Sequence, residues 1–421
     1  MSTDVRTTLR RWQPQVFTPF ARSPDDKNPD DKNPDGKSRE GKSPDPESPV
    51  VVFARTAARS AEFAPAAAPD GAKAVIVGSA AGDDPADVAA RARGELLERM
   101  GNILAGRQAE RARHRIGTHD DWRRRGVPAL DPAALSGDPA ARTLRGLWVT
   151  ARSLRTGEEL LVPAGAAYLR HRPPAGCAPL ARAGSTGLGA HPDPRQAAGH
   201  AAREILERDL IRRSWYGPDA PRPVLIPADS DLLPVAVRKV LEARGERATV
   251  LSLASPAGPV CTVVCVHRRD DGSAQSFGAR CTPARLQASA VAGAAYEALM
   301  VRWSMTGPEA VRTWAGRKGR TPPRTALEHA LWTFHRQDSL AHWLNRPHDR
   351  PPGTGLPPPA DPEDGVAALA AHTGEDVLLV ETDAPQLAEE HVSVVRLIAP
   401  GAAALPTGDG GIPGALPHPF G

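Results

Sequence analysis

Cysteine is scarce in this chain. Four residues in 421 are too few for a disulfide framework. Aromatics make up only 4%, so the core must be built from Ala, Leu and Val. No run approaches the roughly 20 apolar residues that cross a bilayer. The basic start MSTDVRTTLRRW has no apolar segment after it, unlike a secretory signal. A cytoplasmic protein with no membrane partner is therefore expected. Charge of one sign is also lacking: 53 Lys and Arg face 49 Asp and Glu, a net +4. The basic residues form no stripe interleaved with aromatics, which argues against a nucleic-acid partner. A Walker phosphate loop is missing too. GSAAG at 78–82 follows an apolar run but has neither the spacing nor the Lys-Ser/Thr pair, and reads as an ordinary turn.

What is present divides the chain in two. Residues 23–48, SPDDKNPDDKNPDGKSREGKSPDPES, form a degenerate five-residue repeat with nothing apolar to bury. Such a segment cannot offset its ordering entropy, so 1–48 is expected to be largely disordered. The preceding WQPQVFTPFA could still tie a strand to the core. From 49 to 421 strands and helices alternate, which predicts an α/β fold with central sheets and packed helices, ending in a Pro/Gly-rich tail at 411–421. Asp-Pro pairs signal helix starts at 85–86 and 194. GSTGLGAHPDP at 184–194 reads as a loop. HALWTFHRQDSLAHWL reads as one helix, and the last two strands are DVLLVET and SVVRLIAPG.

Three helices carry acidic residues in unusual places. In ARARGELLERMGNILAGR, Glu95, Glu98, Arg99 and Asn102 share one narrow face, opposite an apolar stripe. In PRQAAGHAAREILERDLIRRSW, Gln196, His200, Glu204 and Glu207 fall on one arc with Arg208 at its edge. ARLQASAVAGAAYEALMVRW is apolar almost all round, yet holds Glu297 and, near its end, Arg302. The bland interpretation of the first two is a solvated face with local ion pairs. The third resists it, because a buried carboxylate needs an Arg or a metal ion beside it. Convergence of the three helices would create a site for a hard cation and a polyphosphate.

In order and spacing, GELLERM, GSTGLGAHPDPRQAAGHAAREILERDLIRRSW and FGARCTPARLQASAVAGAAYEALMVRW resemble the YcaO family. The similarity runs over about 70–421 and includes HALWTFHRQDSLAHWL, VVRLIAPG and the terminal PHPF. It implies an α/β fold that binds ATP and Mg2+ without a Walker motif and activates a backbone amide of a ribosomal precursor peptide. The PHPF-like tail resembles the azoline-forming branch, in which a Cys, Ser or Thr side chain attacks the preceding carbonyl. Other members make thioamides or amidines. By this resemblance Glu95, Glu98, Gln196, Glu204 and Glu207 would hold or orient Mg2+. Arg99, Arg208, Glu297, Arg302, Ser185 and Gly187 would serve the nucleotide. A ThiF-like or other leader-peptide-binding protein is implied as partner, and a flavin-dependent azoline dehydrogenase as a later enzyme. Family members are often homodimers. Departures from the pattern are Gln196 in place of Glu, HPDP where an Asn is usual, and Met300 in place of Gln. These leave open an altered nucleotide site, a divergent reaction, or a non-catalytic scaffold that docks the peptide or a partner enzyme.

Other constellations point to structure. Cys261, Cys265 and Cys281 lie on Val-rich strands and read as buried thiols. His329, His335 and His342 punctuate a Trp-bearing helix without an adjacent carboxylate motif.

Overall fold

The computed structural model describes residues 13–20, 50–69, 71–217, 222–227, 232–317, 322–336, 338–345, 364–382, 384–406 and 415–420. The 23–48 repeat and the start of the tail lie outside these residues.

Three sheets organise the chain. The smallest runs β1 (Gln15–Phe17), β2 (Val52–Ser60), β3 (Ala74–Gly82). The second has the order β11 (Ser276–Thr282), β10 (Val260–Arg268), β9 (Glu246–Ala254), β8 (Val224–Ile226). The largest follows the path β4 (Ile116–Gly117), β5 (Gly146–Ser153), β12 (Leu378–Glu381), β13 (Ser393–Ile398), β7 (Leu188–His191), with β6 (Glu159–Pro163) beside β5. Every named ladder is antiparallel. The mixed helix-and-strand class agrees with expectation. The alternation in sequence comes from helices packed between separate antiparallel sheets, not from one parallel βαβ array.

Three helices fill the space between the sheets. α1 (Pro85–Ala112) starts at Asp84, whose carboxylate accepts the N–H groups of Ala86 and Asp87, with Pro85 at the first turn. α2 (Pro194–Tyr216) starts the same way on Asp193 and Pro194. Both starts follow from local sequence, because an Asp cap and an N-terminal Pro satisfy or remove orphan donors. α3 (Gln287–Ser304) has no side-chain cap and is held by burial instead. Its Val291, Ala294, Ala298 and Leu299 pack with Phe53 and Ala81 of one sheet and Val264 and Val266 of another. The expected strand near residue 17 is present as β1, with Phe17 edge-on to Phe53.

Three local expectations are corrected. GSAAG is the end of β3, not a turn. Its glycine is needed for close approach: a Cβ on Gly78 would stand 2.1 Å from the Ala92 carbonyl oxygen of α1. The 184–194 segment contains β7, which pairs with β13. HALWTFHRQDSLAHWL forms two helices, α4 (Ala326–His335) and α5 (Asp338–Asn345), because Arg336 leaves helical geometry at φ −127°, ψ 124°.

Candidate functional site

The site grows from unfinished sheet edges. β3 and β11 are both edge strands, and an edge exposes backbone groups that need partners. Side chains of the neighbouring helices supply them. From α1, Glu95 Oε2 accepts the Ser79 N–H at 2.6 Å, Arg99 donates to the Val77 carbonyl, and Arg91 donates to the Ala81 carbonyl at 2.8 Å. The β11 edge is served likewise. Glu297 of α3 accepts the Ala279 N–H at 2.9 Å, and Glu207 of α2 accepts the Cys281 N–H at 3.0 Å. Glu204 accepts the Gly187 N–H at 3.1 Å.

Two of these crossings are built alike. Gly278 approaches α3 as Gly78 approaches α1, with a Cβ that would lie 2.2 Å from the Ala294 carbonyl oxygen. In each, the residue after the glycine donates to a Glu three positions beyond the contacted Ala. Glycine lets helix and strand backbones touch, and that proximity lets a Glu reach the strand edge.

The carboxylates share one electrostatic neighbourhood. Burial pushes Glu98 up to about 8, and the charges of Glu204 and Glu95 add to the shift. Glu98 has no hydrogen bond among the described residues. Burial lifts Glu207 to about 7, assisted by Glu297 and Glu204 and opposed by Arg208 and Arg280. Glu95 and Glu204 are also raised, chiefly by burial. Arg208 is half-buried, and although desolvation opposes it, Glu207, Glu297 and Glu204 make it bind its proton more tightly than usual. Burial, with like charges crowded in low dielectric adding to it, thus favours proton uptake by these carboxylates.

Among the residues expected at the site, Glu95, Glu98, Arg99, Glu204, Glu207, Arg208 and Glu297 come together. Arg99 pairs with Glu95 at 2.5 Å. Gly187 belongs to the same place, with φ +87°. Ser185 is exposed on the loop before it, and Gln196 is exposed in the first turn of α2. Arg302 is engaged elsewhere. It is buried against Glu246 at 2.8 Å, and its carboxylate partner is not one of the cluster. Asn102 is wholly buried as a backbone clamp, donating to the Ala167 carbonyl and accepting the Leu169 N–H.

Two arginines were not among the expected site residues. Arg396 of β13 is buried and donates to the Gly184 and Thr186 carbonyls at 2.9 and 2.8 Å. Its charge faces Glu204 and Glu98, although burial lowers its pKa to about 10. One signal was available: an Arg interrupts the otherwise apolar strand SVVRLI. Arg280 lies on β11 beside Gly293, where an added Cβ would come within 3.0 Å of its Nε. No local pattern marks it. The tail also reaches this region, because the Arg208 guanidinium sits 5.8 Å over the Phe420 ring.

The other constellations are structural. Cys261, Cys265 and Cys281 are buried free thiols, and Cys177 is half-buried. His329 stacks on His418 at 3.9 Å, and His335 stacks on Trp314 at 4.2 Å.

Among the described residues no three His, Cys, Asp or Glu are gathered to hold a metal ion by themselves. The donor set nevertheless suits Mg2+ shared with phosphates, since that ion takes one or two carboxylates and fills its remaining positions with phosphate and water. Glu98 is unlatched, and a cation would offset the burial and the neighbouring charges that raise it.

The fold thus joins antiparallel sheets, through the helices that latch their edges, at one carboxylate–arginine cluster. A family model described as "YcaO cyclodehydratase, ATP-ad Mg2+-binding" matches residues 79–403, and the chain belongs to the YcaO family. Its fold is similar to that of a heterocyclase solved in complex with substrate and cofactor, with TM-score 0.60, 17% identity and coverage of 87% of this chain and 50% of that one. It is also similar to YcaO from Methanopyrus kandleri bound with AMPPCP and Mg2+, at TM-score 0.53, 19% identity and coverage of 85% and 84%. A chain of the E. coli microcin synthetase McbBCD complex matches at TM-score 0.56 and 14% identity over 85% and 86%. An uncharacterized protein of Methanothermobacter thermautotrophicus is 31% identical over 124 residues, 28% of this chain and 31% of that protein. The chain thus spans about half of the first heterocyclase and under a third of the archaeal protein. The expected cofactors, ATP and Mg2+, are those in the family's description.

Proposed function

We propose that this chain is an ATP- and Mg2+-dependent cyclodehydratase that forms azolines at Cys, Ser or Thr of a ribosomally made precursor peptide. The observation that carries this is the convergence of five Glu from three helices with Arg99, Arg208, Arg280 and Arg396. Glu98 and Glu204 would hold Mg2+, which would supply positive charge to offset that of the phosphates. Glu95, Glu207 and Glu297 would keep the strand edges and the cation in place. Arg208 and Arg280 would hold phosphate, and Arg396 would fix the 184–187 loop. The side-chain nucleophile attacks the preceding carbonyl. That attack closes the five-membered ring. The resulting oxyanion would take the γ-phosphoryl group with release of ADP, and loss of phosphate together with the former amide proton would leave the C=N bond of the azoline. The chain's part is positioning and charge neutralisation, which dominate phosphoryl transfer.

A leader-binding partner is part of the proposal, as is residues 49–421 acting as one unit. Similar proteins were solved as a complex with substrate and as a multi-protein synthetase. A flavin-dependent dehydrogenase would then oxidise the azoline. A second reading, a peptide-docking scaffold, draws on the latching of Glu95, Glu204, Glu207 and Glu297 to backbone.

Titration calorimetry with AMPPCP, with and without Mg2+, tests the enzyme reading. Saturable Mg2+-dependent binding is expected, and its loss in Glu204→Gln/Glu207→Gln with circular dichroism unchanged. A folded chain that binds no nucleotide, with or without its partner, leaves the scaffold reading standing.

A further inference from the structure

A second charged site lies beyond Glu297 on α3, where the chain enters β11. A cavity of about 700 Å³ opens there, lined by Arg244, Glu246, Arg268, Arg269, Arg302 and Phe334 among others. None of the clustered carboxylates borders it.

Its floor is overcharged. Glu246 is only 3% exposed, and a single oxygen of it, Oε1, takes Arg302 at 2.8 Å and Arg244 at 3.2 Å. Two guanidinium groups thus share one carboxylate. Oε2 has no hydrogen-bond partner among the described residues, an exception that calls for a donor. At the rim, Arg268 and Arg269 are exposed and have no ion-pair partner among the described residues. The acidic groups facing them are Asp270, on the cavity wall, and Asp271, which feels the Arg268 charge. Four guanidinium groups therefore meet fewer close carboxylates than they could pair with. The wall is also strained. Ala274 adopts φ +53°, and its carbonyl accepts from Arg302. A non-glycine residue in that region costs on the order of 1 kcal/mol and tends to mark functional positions.

The lining discriminates among anions. Phe334 offers no open ring face for a nucleobase: Arg302 covers it at 5.6 Å, and the ring packs with Met305, Ala310, Ala330 and Leu331. Inorganic phosphate is mainly an acceptor and gives Glu246 Oε2 little. A peptide bearing carboxylates supplies anions for the rim, N–H donors for the floor and aliphatic groups for the wall. The volume falls in the range of roughly 300–1,000 Å³ typical of ligand sites.

We infer that this cavity binds an acidic segment of a peptide chain, separately from the nucleotide. The inference stands without the proposed function. If that reading also holds, the segment belongs to the peptide being processed.

The test is fluorescence anisotropy with a short labelled peptide rich in Glu and Leu, its Gln counterpart, and the full chain. The acidic peptide should bind, weaken as salt rises because exposed arginines are screened, and lose about tenfold or more in affinity in Arg268→Glu/Arg269→Glu. Both positions are exposed, so folding should persist, and Arg244→Gln provides a second probe. AMPPCP with Mg2+ should leave binding unchanged. Equal binding of the Gln peptide, or no loss in either variant, overturns the inference. Displacement by AMPPCP or by inorganic phosphate also overturns it and assigns the cavity to simple anions.

Discussion

Glu98 shows how one carboxylate can be marked for function. Its pKa of about 8 in the folded chain stands well above the ordinary Glu value near 4.3. Between those values the folded state holds a proton that the unfolded state has released. The stability this confers is complete at acid pH and is lost as pH rises towards about 8. The melting temperature of the cation-free chain should therefore fall between about pH 5 and 8, and Glu98→Gln should flatten that slope. Differential scanning fluorimetry reads both. A slope unchanged by the substitution would place the titrating group elsewhere.

Asp209 has the opposite sign. Burial alone would raise it, but His372 at 2.6 Å, Arg213 at 2.6 Å and the Ala403 N–H at 2.7 Å hold it below the usual Asp range. Its contribution is present above about pH 3.9 and is lost as pH falls through the lower folded value. His372 Nδ1 in turn meets Ser255 Oγ at 2.9 Å, so the network ties α6 (Gly365–Thr373) to α2. His372→Ala should cost about 1–3 kcal/mol by leaving a buried charge under-satisfied. Urea unfolding at neutral pH would measure it.

At the scale of elements, helix–strand contacts through glycine decide where the carboxylates go. Gly278→Ala would force a methyl group to within 2.2 Å of backbone. It should destabilise by about 2–4 kcal/mol and weaken nucleotide binding, since Glu297 could no longer reach Ala279. Gly94 is the control. It sits inside α1 with nothing within 4 Å, and Gly94→Ala should stabilise by up to about 1 kcal/mol. Denaturant midpoints separate the two. The terminal segment is an element in its own right: Phe420 is 2% exposed, within the cluster of Trp215, Phe277 and Trp343. Phe420→Ala should cost about 3–5 kcal/mol.

At the scale of the molecule, the site belongs to no single element. Its donors come from β3 and α1, from the 184–187 loop and α2, from β11 and α3, and from β13. These parts are up to some 300 residues apart in the chain, so loop-closure entropy opposes their assembly. A ligand that binds only the assembled cluster should stabilise the whole fold. Saturation at about a hundred times the dissociation constant contributes about 2.7 kcal/mol. AMPPCP with Mg2+ should accordingly raise the melting temperature in one cooperative transition, most strongly near pH 8, where the cluster is most charged.

The amino-acid order was enough for the helix starts at Asp84 and Asp193, the apolar stripes, the buried thiols and the three acidic arcs. Each depends on residues within one or two turns of each other, and the ordered motifs pointed to the family. Tertiary structure alone decided the rest. The antiparallel pairing of β7 with β13 is one such feature, since register is settled by strands far apart in the chain. The use of GSAAG as an edge strand rather than a turn depends on α1 lying against it. Arg280 joins the site, and Arg302 leaves it for Glu246, because a helix face or strand alternation gives direction but not distance. Only packing determines which charges come close enough to shift one another.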